Sequence, residues 1–586
     1  MKNLIFISAL LLNICVNAQS ITEKDLKETI YFLASDSLKG RAPGTPEMKV
    51  AAEYIREQFK KNGLILLGDN GFQYFDIITG VKPSGKNKLK IRGFSCKTFE
   101  DNIPMPFSGN GNVSAKVVFA GYGFDINTEN FKRNDYANID VKNKWVLILR
   151  GAPETNDKDN PLNAYSSDLS KVMTAIKKGA AGVLLVSGEN FDKNDKLNEL
   201  KYGRGNAQVK IPVIHIKRYL ADKILKKRKI TDYEKQLAKS SESVSFDTQA
   251  KVKATVNIKY VKTRTQNVVG LLPGNNKTLS QEYLIAGAHY DHLGFGGKNS
   301  GSRMPDTVAV HNGADDNASG IAALLEIIQK FKDKKIRPDR SILFAAFSGE
   351  EEGLLGSAYF VNHPLINLDK VLVMINIDMV GRLKKNNTLT IAGTGTAKEF
   401  NKLLDSYKKK TKLNLSYSPG GFGSSDHSSF YMKDIPVLFF NTGAHEDYHT
   451  PFDDADKINL RGEVKVTKLI FDIIYDFSKR REPLTFTKTK NPRKKGAYGK
   501  GFKVTLGIMP GFGDTENKGL RVDGTSKGGH ADKAGIKRGD IITAINGEKI
   551  SNIYEYMEVL KKLNPGQKIT VNILRNGKKE LLTIQL

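Results

Sequence analysis

The sequence predicts an α/β protein whose mostly parallel sheet is flanked by helices, with a β-rich inserted domain and a small C-terminal α+β domain. From about Thr255, apolar strand candidates alternate with helix candidates, which is typical of a parallel sheet covered by helices. Short β-rich runs dominate residues 106–250, and short strands and turns return after a lysine-rich stretch at residues 479–497. A chain of 586 residues exceeds one ordinary core, so we expect several domains.

The N-terminus has the pattern of a secretory signal peptide over residues 1–18. Lys2 precedes an apolar run at residues 4–12, and Val16-Asn17-Ala18 provides a small-x-small cleavage pattern. The apolar run is shorter than the roughly 20 residues that span a bilayer. We therefore expect an exported chain, periplasmic or extracellular, without a transmembrane segment in its mature form. Once Cys15 is removed, Cys96 has no partner for an internal disulfide.

The composition is strongly basic, with a net charge of +28. Such a charge can attract nucleic acid or an anionic envelope surface. Here the basic residues are scattered, and neither interleaved aromatic residues nor a nucleic-acid motif accompanies them. We therefore interpret the charge as a lysine-rich solvated surface and expect no nucleic-acid partner.

Hydrophobic spacing places the elements of the α/β region. Apolar residues at helical spacing predict a helix over residues 48–64, ending at Asn62-Gly63. The strand candidates are residues 283–288, 341–347, 371–376 and 436–441. The helix candidates are residues 318–332, 354–362, 397–410 and 462–478.

Histidines and acidic residues accumulate where these strands end. Seven of the nine histidines lie between His289 and His449. In a doubly wound sheet, ligands bind beyond the carboxyl ends of the strands, so side chains that follow different strands can meet there. Imidazole and carboxylate groups without cysteine suit catalytic zinc, and two histidines with three carboxylates can hold two metal ions if one carboxylate bridges. The candidate groups at this edge are His289, Asp315, Glu350, Glu351, Asp378 and His449, and one carboxylate must remain free of metal to carry the proton.

Six motifs in this region resemble, in the family's order, those of metallopeptidase family 28, the co-catalytic di-zinc aminopeptidases. They are GAHYDH, GADDNASG, FSGEEEGLLGS, NIDMVG, SSDHSSF and YHTPFD, and the likeness covers residues 21–105 and 255–478. The resemblance implies the zinc exopeptidase fold with two Zn²⁺ ions. It implies that Asp315 bridges both ions. By the same resemblance, His289 and Asp378 complete the first site, and Glu351 and His449 complete the second.

The resemblance also implies the catalytic residues. Glu350 resembles the general base that takes a proton from water and delivers it to the leaving amine. A shift of one residue along the three glutamates would instead place these roles on Glu351 and Glu352. Asp291 resembles the carboxylate that orients the imidazole of His289.

Three further expectations concern the surroundings of the site. Some relatives stabilise the oxyanion with a tyrosine where this chain has Phe422, which cannot donate a hydrogen bond. Tyr448, just before His449, resembles the tyrosine that serves this purpose in other branches of the family, and by that resemblance we assign the role to it. By analogy with relatives, we expect the Asp315-Asp316 peptide bond to be cis. The remaining histidines of the region are expected to be structural or to line the pocket: His292, His311, His363, His427 and His445.

Two flanking regions resemble known modules. Residues 106–250 resemble a protease-associated domain through VVFAGYG, WVLILRG and KGAAGV, and we expect this insert to cover the cleft or to act as a neutral spacer. Residues 498–586 resemble a PDZ domain through TLGI and ADKAGIKRGDIITAI. PDZ domains bind peptides by strand addition, so peptide or protein C-termini are its expected partners, although it could also only pack against the enzyme.

The favoured function is that of an exported zinc-dependent aminopeptidase acting on peptide substrates. It would hydrolyse N-terminal peptide bonds through a metal-bridging hydroxide with Glu350 as general base. The alternatives are a carboxypeptidase, a dipeptidase or a glutaminyl cyclase on the same fold, and a non-catalytic peptide-binding protein. The predicted catalytic domain comprises residues 19–105 and 255–478, and residues 479–497 form a linker.

Overall fold

The structure, a computed structural model, describes residues 21–586 except for short internal gaps. The gaps are residues 128–131, 154–160, 202–207, 240–241, 299, 333–335, 490–503, 511–518, 526–527 and 552. The predicted signal peptide and residues 490–497 of the predicted linker therefore lie outside the described residues. The chain divides into two compact units, and the first contains residues 266–297 and 302–487 together with the chain up to Tyr74.

The strands of both units are numbered in chain order. They are β1 (Ile65–Leu66), β2 (Phe72–Pro83), β3 (Lys88–Ile91), β4 (Phe94–Cys96), β5 (Asn102–Pro104), β6 (Gly111–Ala120), β7 (Asp125–Asn127), β8 (Lys132–Asn134), β9 (Trp145–Leu149), β10 (Gly182–Val186), β11 (Val213–Ile216), β12 (Ser245–Val256), β13 (Ile258–Leu272), β14 (Tyr283–His289), β15 (Ser341–Phe347), β16 (Val371–Ile377), β17 (Thr388–Ala392), β18 (Asn414–Ser418), β19 (Val437–Asn441), β20 (Ile508–Pro510), β21 (Leu520–Thr525), β22 (Ile541–Ile545), β23 (Glu548–Lys549), β24 (Lys568–Arg575) and β25 (Lys578–Gln585).

The α-helices are likewise numbered in chain order. They are α1 (Glu23–Leu33), α2 (Pro46–Lys61), α3 (Asp168–Lys177), α4 (Arg218–Leu225), α5 (Ile230–Lys239), α6 (Gly320–Phe331), α7 (Leu355–Asn362), α8 (Phe400–Lys408), α9 (His427–Tyr431), α10 (Leu460–Lys479), α11 (His530–Lys533) and α12 (Ile553–Lys562). A π-helical turn, Ala314–Ser319, leads directly into α6.

The sheet of the first unit confirms the predicted fold class. Its strand order is β1-β13-β15-β14-β16-β19-β17-β18, with β2 also paired to β13. The four central strands, β15, β14, β16 and β19, are mutually parallel, and antiparallel pairing occurs toward the edges. Every residue of β15 is buried, as expected for a central strand covered on both faces. The fold is therefore α/β with a largely parallel core.

Local sequence explains why α2 forms where it does. The Thr45 side chain accepts a hydrogen bond from the Met48 backbone N–H, and Pro46 occupies the first turn, where its missing N–H has no cost. Met48, Ile55 and Phe59 recur on one face and are fully buried. The helix ends at Lys61, which agrees with the predicted stop at Asn62-Gly63.

The second unit contains the insert, whose sheet begins earlier in the chain than predicted. Its strand order is β4-β3-β12-β6-β9-β10-β11-β5, and β6, β9, β10 and β11 are parallel. The strands β3, β4 and β5 fall within the segment predicted to be catalytic, residues 19–105. They join the insert because β3 pairs with β12 and β5 pairs with β11. Strand β12 ends at Val256, close to the predicted boundary.

The C-terminal region has its own sheet and core. Strands β20, β21, β22, β24 and β25 are neighbours in an antiparallel sheet, and β23 pairs with β22. Buried apolar residues such as Leu506, Val522, Ile545 and Val571 form one cluster there. Together with α11 and α12, this sheet gives the predicted α+β domain. Among the described residues, none of the helices combines the length and the apolar character needed to cross a membrane.

A buried glutamate in α6 makes the stability of the first unit depend on pH. Glu326 accepts a hydrogen bond from the Thr22 backbone N–H at 3.0 Å, and 5% of its surface is exposed. Burial raises the pKa of Glu326 to about 7, whereas an unfolded glutamate has a pKa of about 4.3. At a pH between these two pKa values, Glu326 is protonated in the folded state and ionised in the unfolded chain. The free energy of unfolding should therefore fall as the pH rises through this window.

The substitution Glu326→Gln removes this titration and keeps an oxygen that can accept the Thr22 hydrogen bond. We expect the variant to gain stability relative to wild type as the pH rises from about 4.3 to about 7, because the glutamine has no proton to lose. Urea unfolding of both metal-free proteins at pH 5 and pH 8 measures the difference. A difference that does not change with pH would contradict the assignment.

Candidate metal centre

The candidate site lies where the parallel strands of the first unit end. Strand β14 ends at His289, and the Tyr290 backbone N–H donates to the Phe347 carbonyl at the end of β15. Glu350 and Glu351 follow β15, and Asp378 follows β16. Because these strands are parallel neighbours, their carboxyl ends share one edge of the sheet, and the side chains that follow them meet there.

One group of three buried side chains, which we call the first half-site, consists of His289, Asp316 and Asp378. The Nε2 atom of His289 lies 3.2 Å from Asp316 Oδ1 and 3.5 Å from Asp378 Oδ1. Among the described residues, neither His289 Nε2 nor Asp378 Oδ1 has a hydrogen-bond partner. The donor atoms of these three residues converge closely enough to hold a metal ion.

A second group, which we call the second half-site, shares Asp316 with the first. His449 Nε2 lies 3.1 Å from Asp316 Oδ2 and 3.2 Å from Glu351 Oε1. His292 also belongs to it, with Nδ1 2.9 Å from Glu351 Oε1. One oxygen of Asp316 therefore faces each half-site, which is the arrangement of a bridging carboxylate.

Asp315 does not occupy the bridging position that the sequence predicted for it. Its carboxylate accepts hydrogen bonds from the Gly381 backbone N–H (2.7 Å) and the Ser319 hydroxyl (3.1 Å), and it lies 3.2 Å from His445 Nε2. These contacts turn it away from the half-sites, and Asp316 takes its place. The cis peptide bond is correspondingly Asp316-Asn317 rather than the predicted Asp315-Asp316.

The turn that carries Asp316 is held by a residue from the His449 loop. Asp453 Oδ2 accepts the backbone N–H groups of Asp315 (2.9 Å) and Asp316 (3.1 Å). Burial, and after it the neighbouring Asp315, raises the pKa of Asp453 to about 7. The loop that supplies His449 therefore also fixes the backbone of Asp316.

Asp378 is oriented by a short hydrogen-bonded chain. The Ser425 hydroxyl donates to Asp378 Oδ2 at 2.6 Å and accepts from Asn376 Nδ2 at 2.7 Å. This occupies one oxygen of Asp378 and leaves Oδ1 directed at His289. The SSDHSSF motif thus contributes a positioning serine, which sequence reasoning did not assign.

Asp291 acts on the glutamate turn as well as on His289. Its carboxylate accepts the backbone N–H groups of Glu350 (3.1 Å) and Glu351 (3.2 Å). Its side chain is 3.8 Å from His289 Nδ1, whereas its backbone oxygen is only 3.2 Å from that nitrogen. The backbone of Asp291 therefore makes the closer contact with the imidazole. The carboxylate mainly holds the two glutamates.

The two adjacent glutamates have opposite electrostatic settings. Burial, and beyond it repulsion from Glu351, Asp378 and Asp426, raises the pKa of Glu350 well above its usual value. Burial acts in the same direction on Glu351, but its contacts with His292 and His449 outweigh it and lower the pKa to about 2. Glu350 thus favours holding a proton, whereas Glu351 stays ionised.

Glu352 belongs to neither half-site and is half-buried. The arrangement therefore favours the predicted assignment of roles to Glu350 and Glu351 over the alternative shifted by one residue.

Tyr448 lies beside the second half-site. Its ring stacks on His449, with ring centroids 3.9 Å apart, and burial together with the carboxylates of Asp316 and Glu351 raises its pKa. Phe422 instead packs against Tyr431 at 4.6 Å. The structure therefore places the phenol of Tyr448, and not the ring of Phe422, among the charged groups.

The other histidines have separate settings. His311 faces the Ala309 carbonyl (2.9 Å) and the Ser302 hydroxyl (2.8 Å). His427 stacks on Phe439 with ring centroids 4.6 Å apart. His445 contacts Asp315, and the exposed His363 stacks on Tyr359. Among these five, only His292 approaches Glu351 within the described part of the chain.

Comparison with known families divides the chain as its motifs do. Residues 267–474 match peptidase family M28, residues 113–224 match the PA domain, and residues 504–586 match the PDZ domain.

Individual relatives are similar at low identity. The chain is 27% identical to aminopeptidase YwaD of Bacillus subtilis, over 78% of this chain and 85% of that protein. It is 28% identical to a probable leucine aminopeptidase of Trichophyton verrucosum, over 36% of this chain and 57% of that protein. An aminopeptidase of Pseudomonas aeruginosa is 26% identical over 63% of this chain and 58% of its own length.

Solved structures with similar chains include two aminopeptidases. One is the aminopeptidase from Aneurinibacillus sp. strain AM-1, with a TM-score of 0.48 and 23% identity over 80% of this chain and 96% of that one. The other is BSAP, a zinc aminopeptidase from Bacillus subtilis, with a TM-score of 0.48 and 22% identity over 81% and 97%. The family matches confirm the resemblance stated from the motifs: residues 267–474 match peptidase family M28, and matches to the PA domain and the PDZ domain accompany them.

Proposed function

We propose that this protein is an exported zinc-dependent aminopeptidase that hydrolyses the N-terminal peptide bond of peptide substrates. The observation that carries the proposal is the pair of half-sites that share Asp316, with Glu350 buried beside them. The match of residues 267–474 to peptidase family M28 supports it, as do the relatives named as aminopeptidases.

The donor set fits zinc in a catalytic role. It combines imidazole and carboxylate groups and contains no thiolate. A buried polar atom without a partner costs about 1–3 kcal/mol, and His289 Nε2 and Asp378 Oδ1 are two such atoms among the described residues. A cation between them would remove that cost. We assign one ion to the first half-site and a second to Asp316, Glu351 and His449.

Bound zinc would supply two effects, activation of a water molecule and polarisation of the substrate carbonyl. The protein itself must then move a proton. Glu350 suits this task because it belongs to neither half-site and is buried beside them, so its carboxylate remains free of metal. It would take the proton of the attacking water on a carboxylate oxygen and pass it to the leaving amine.

Tyr448 is proposed to stabilise the negative charge on the former carbonyl oxygen. Its phenol is a hydrogen-bond donor, and the raised pKa keeps the proton in place near neutral pH. Stacking on His449 restricts its ring to the edge of the second half-site.

Export and peptide recruitment complete the proposal. The apolar run at residues 4–12 and the small-x-small pattern at residues 16–18 support export. In the PDZ region, β20 is an edge strand of the described sheet, and an extended peptide could pair with it beside Leu506 and Gly507. We propose that peptide or protein C-termini bind there.

The function is tested with matched peptides that differ only in their N-terminus. We expect the enzyme to release the first residue from free-amine peptides and to leave N-acetylated copies intact. A zinc chelator should abolish the activity, and added zinc should restore it. Cleavage from the C-terminus, or equal cleavage of acetylated peptides, would contradict an aminopeptidase.

Replacing Glu350 by Gln tests the assigned proton carrier. Loss of a positioned acid–base group typically costs about 100- to 10,000-fold in rate, so we expect turnover of an aminoacyl reporter to fall by that order while bound zinc stays at the wild-type level. Glu352→Gln is the matched control, because Glu352 belongs to neither half-site, and it should retain activity. Full activity in the Glu350→Gln variant would refute the assignment.

Two neighbouring aspartates allow a direct test of the bridging residue. Asp316→Asn should lower the zinc content of both half-sites, because Asp316 is the carboxylate that faces both. Asp315→Asn should keep both ions, because the Asp315 carboxylate faces Gly381 and Ser319 instead. Zinc is counted per folded chain by mass spectrometry. The opposite result would restore the bridging role that the sequence predicted for Asp315.

A further inference from the structure

A third histidine, His292, reaches the second half-site. Its Nδ1 atom lies 2.9 Å from Glu351 Oε1, and its side chain has no exposed surface. Its ring centroid is 5.7 Å from that of His449, and the two rings meet edge-on at 72°. Two imidazoles therefore approach the same carboxylate from different directions.

The contact between His292 and Glu351 is close but is not aligned as a hydrogen bond. Neither Nδ1 nor Nε2 of His292 has a hydrogen-bond partner among the described residues. His289 Nε2 shows the same combination in the first half-site, where it lies 3.2 Å from Asp316 Oδ1 without a hydrogen bond. Such geometry arises when a nitrogen and an oxygen both point at a third position between them, as the ligands of a common cation do.

Burial without hydrogen bonds does not by itself identify a ligand. His427 is also buried, and its two ring nitrogens also lack partners among the described residues. It lies on the ring of Phe439, and burial lowers its pKa to about 3. His292 differs because its donor atom lies within 4.8 Å of donor atoms from both Asp316 and Glu351.

The chain around His292 fixes its position. Gly313 has a φ of +56°, and a Cβ on this residue would lie 2.5 Å from His292 Cγ, so the glycine leaves room for the ring. The His292 backbone N–H donates to the Arg41 carbonyl at 3.3 Å. The Arg41 guanidinium in turn donates to the carbonyls of Tyr290 (2.8 Å) and Asn312 (2.7 Å). Arg41 therefore links the segment that carries His292 to the segment that carries Gly313.

We propose that His292 is a protein ligand of the cation in the second half-site, in addition to Asp316, Glu351 and His449. This inference rests on the proposed two-zinc function. The first half-site then has three protein ligands and keeps an open position, whereas the second has four, which is the number that closes a tetrahedral zinc site. The two ions therefore differ: the first is accessible to water and substrate, and the second is held more firmly and exchanges more slowly.

The test uses ring-for-ring substitutions in the full-length protein. His292→Phe keeps a planar ring against Gly313 but removes the nitrogen, and His427→Phe is the matched control outside the half-sites. Zinc content is measured at free zinc concentrations set by a chelator buffer, and the loss of each ion to excess chelator is followed in time. We expect two ions and two loss rates in wild type and in His427→Phe. His292→Phe should bind its second ion at least about tenfold more weakly and lose the slow phase.

Cobalt substitution separates a ligand from a residue that only orients Glu351. Replacement of a nitrogen ligand changes the visible absorption of Co²⁺ bound in the second half-site, so His292→Phe should alter that spectrum. Weaker binding with an unchanged spectrum would overturn the ligand assignment, as would two ions bound with wild-type affinity. If His292→Phe fails to fold, the smaller and polar His292→Asn decides by the same measurements.

The same measurements separate failure of the His292 ligand assignment from failure of the proposed two-zinc function. A wild-type protein that binds two zinc ions and cleaves peptides, with His292→Phe unchanged in both zinc affinity and spectrum, refutes the inference alone. A wild-type protein that binds no zinc refutes the proposed function and the inference together.

Discussion

The candidate metal centre depends on one shared carboxylate, that of Asp316, whose two oxygens face two different histidines. Oδ1 lies 3.2 Å from His289 and Oδ2 lies 3.1 Å from His449. His289 ends β14, and His449 follows β19, which is separated from β14 by the parallel strand β16, so the sheet brings the two histidines to the same edge from separate parts of the chain. A carboxylate at the start of α6 can span both only if its turn is fixed, and Asp453 fixes it by accepting two consecutive backbone N–H groups.

The same arrangement concentrates negative charge in a buried volume. Burial raises the pKa of Asp291 to about 7 and that of Asp426 to about 6, and it also raises the pKa of Asp378. Buried carboxylates are stable only when they are protonated, hydrogen-bonded or paired with cations. Metal binding would therefore stabilise this edge of the sheet in addition to its proposed role in chemistry, because ions would neutralise carboxylates that the fold holds together at a cost in free energy.

The sequence predicted which strand ends meet, but not which neighbouring side chain faces the site. The predicted strand at residues 341–347 coincides with β15, and the one at residues 283–288 ends one residue before β14 does, because buried parallel strands are continuous apolar runs. In a turn, adjacent residues point in different directions, and distant partners decide which one turns inward. Asp315 is drawn to Gly381, 66 residues away, and that contact leaves no local pattern. The approach of His292 to Glu351 leaves no local pattern for a similar reason, since it depends on space that Gly313 provides.

In this site, several functional residues are positioned by hydrogen bonds from their backbone N–H groups to buried carboxylates. Asp291 accepts the N–H groups of Glu350 and Glu351, as Asp453 does for the turn before α6. Each of these two carboxylates fixes the backbone of two successive residues, and the side chains of those residues can still point in different directions. In the proposed function, this divergence would separate a proton carrier, Glu350, from a charged ligand, Glu351, and one turn would support both because the buried carboxylate of Asp291 holds its backbone. Weakening the hydrogen bonds that Asp291 accepts should therefore disturb metal affinity and proton transfer together. Substituting Glu350 should disturb only proton transfer, and substituting Glu351 should disturb only metal affinity.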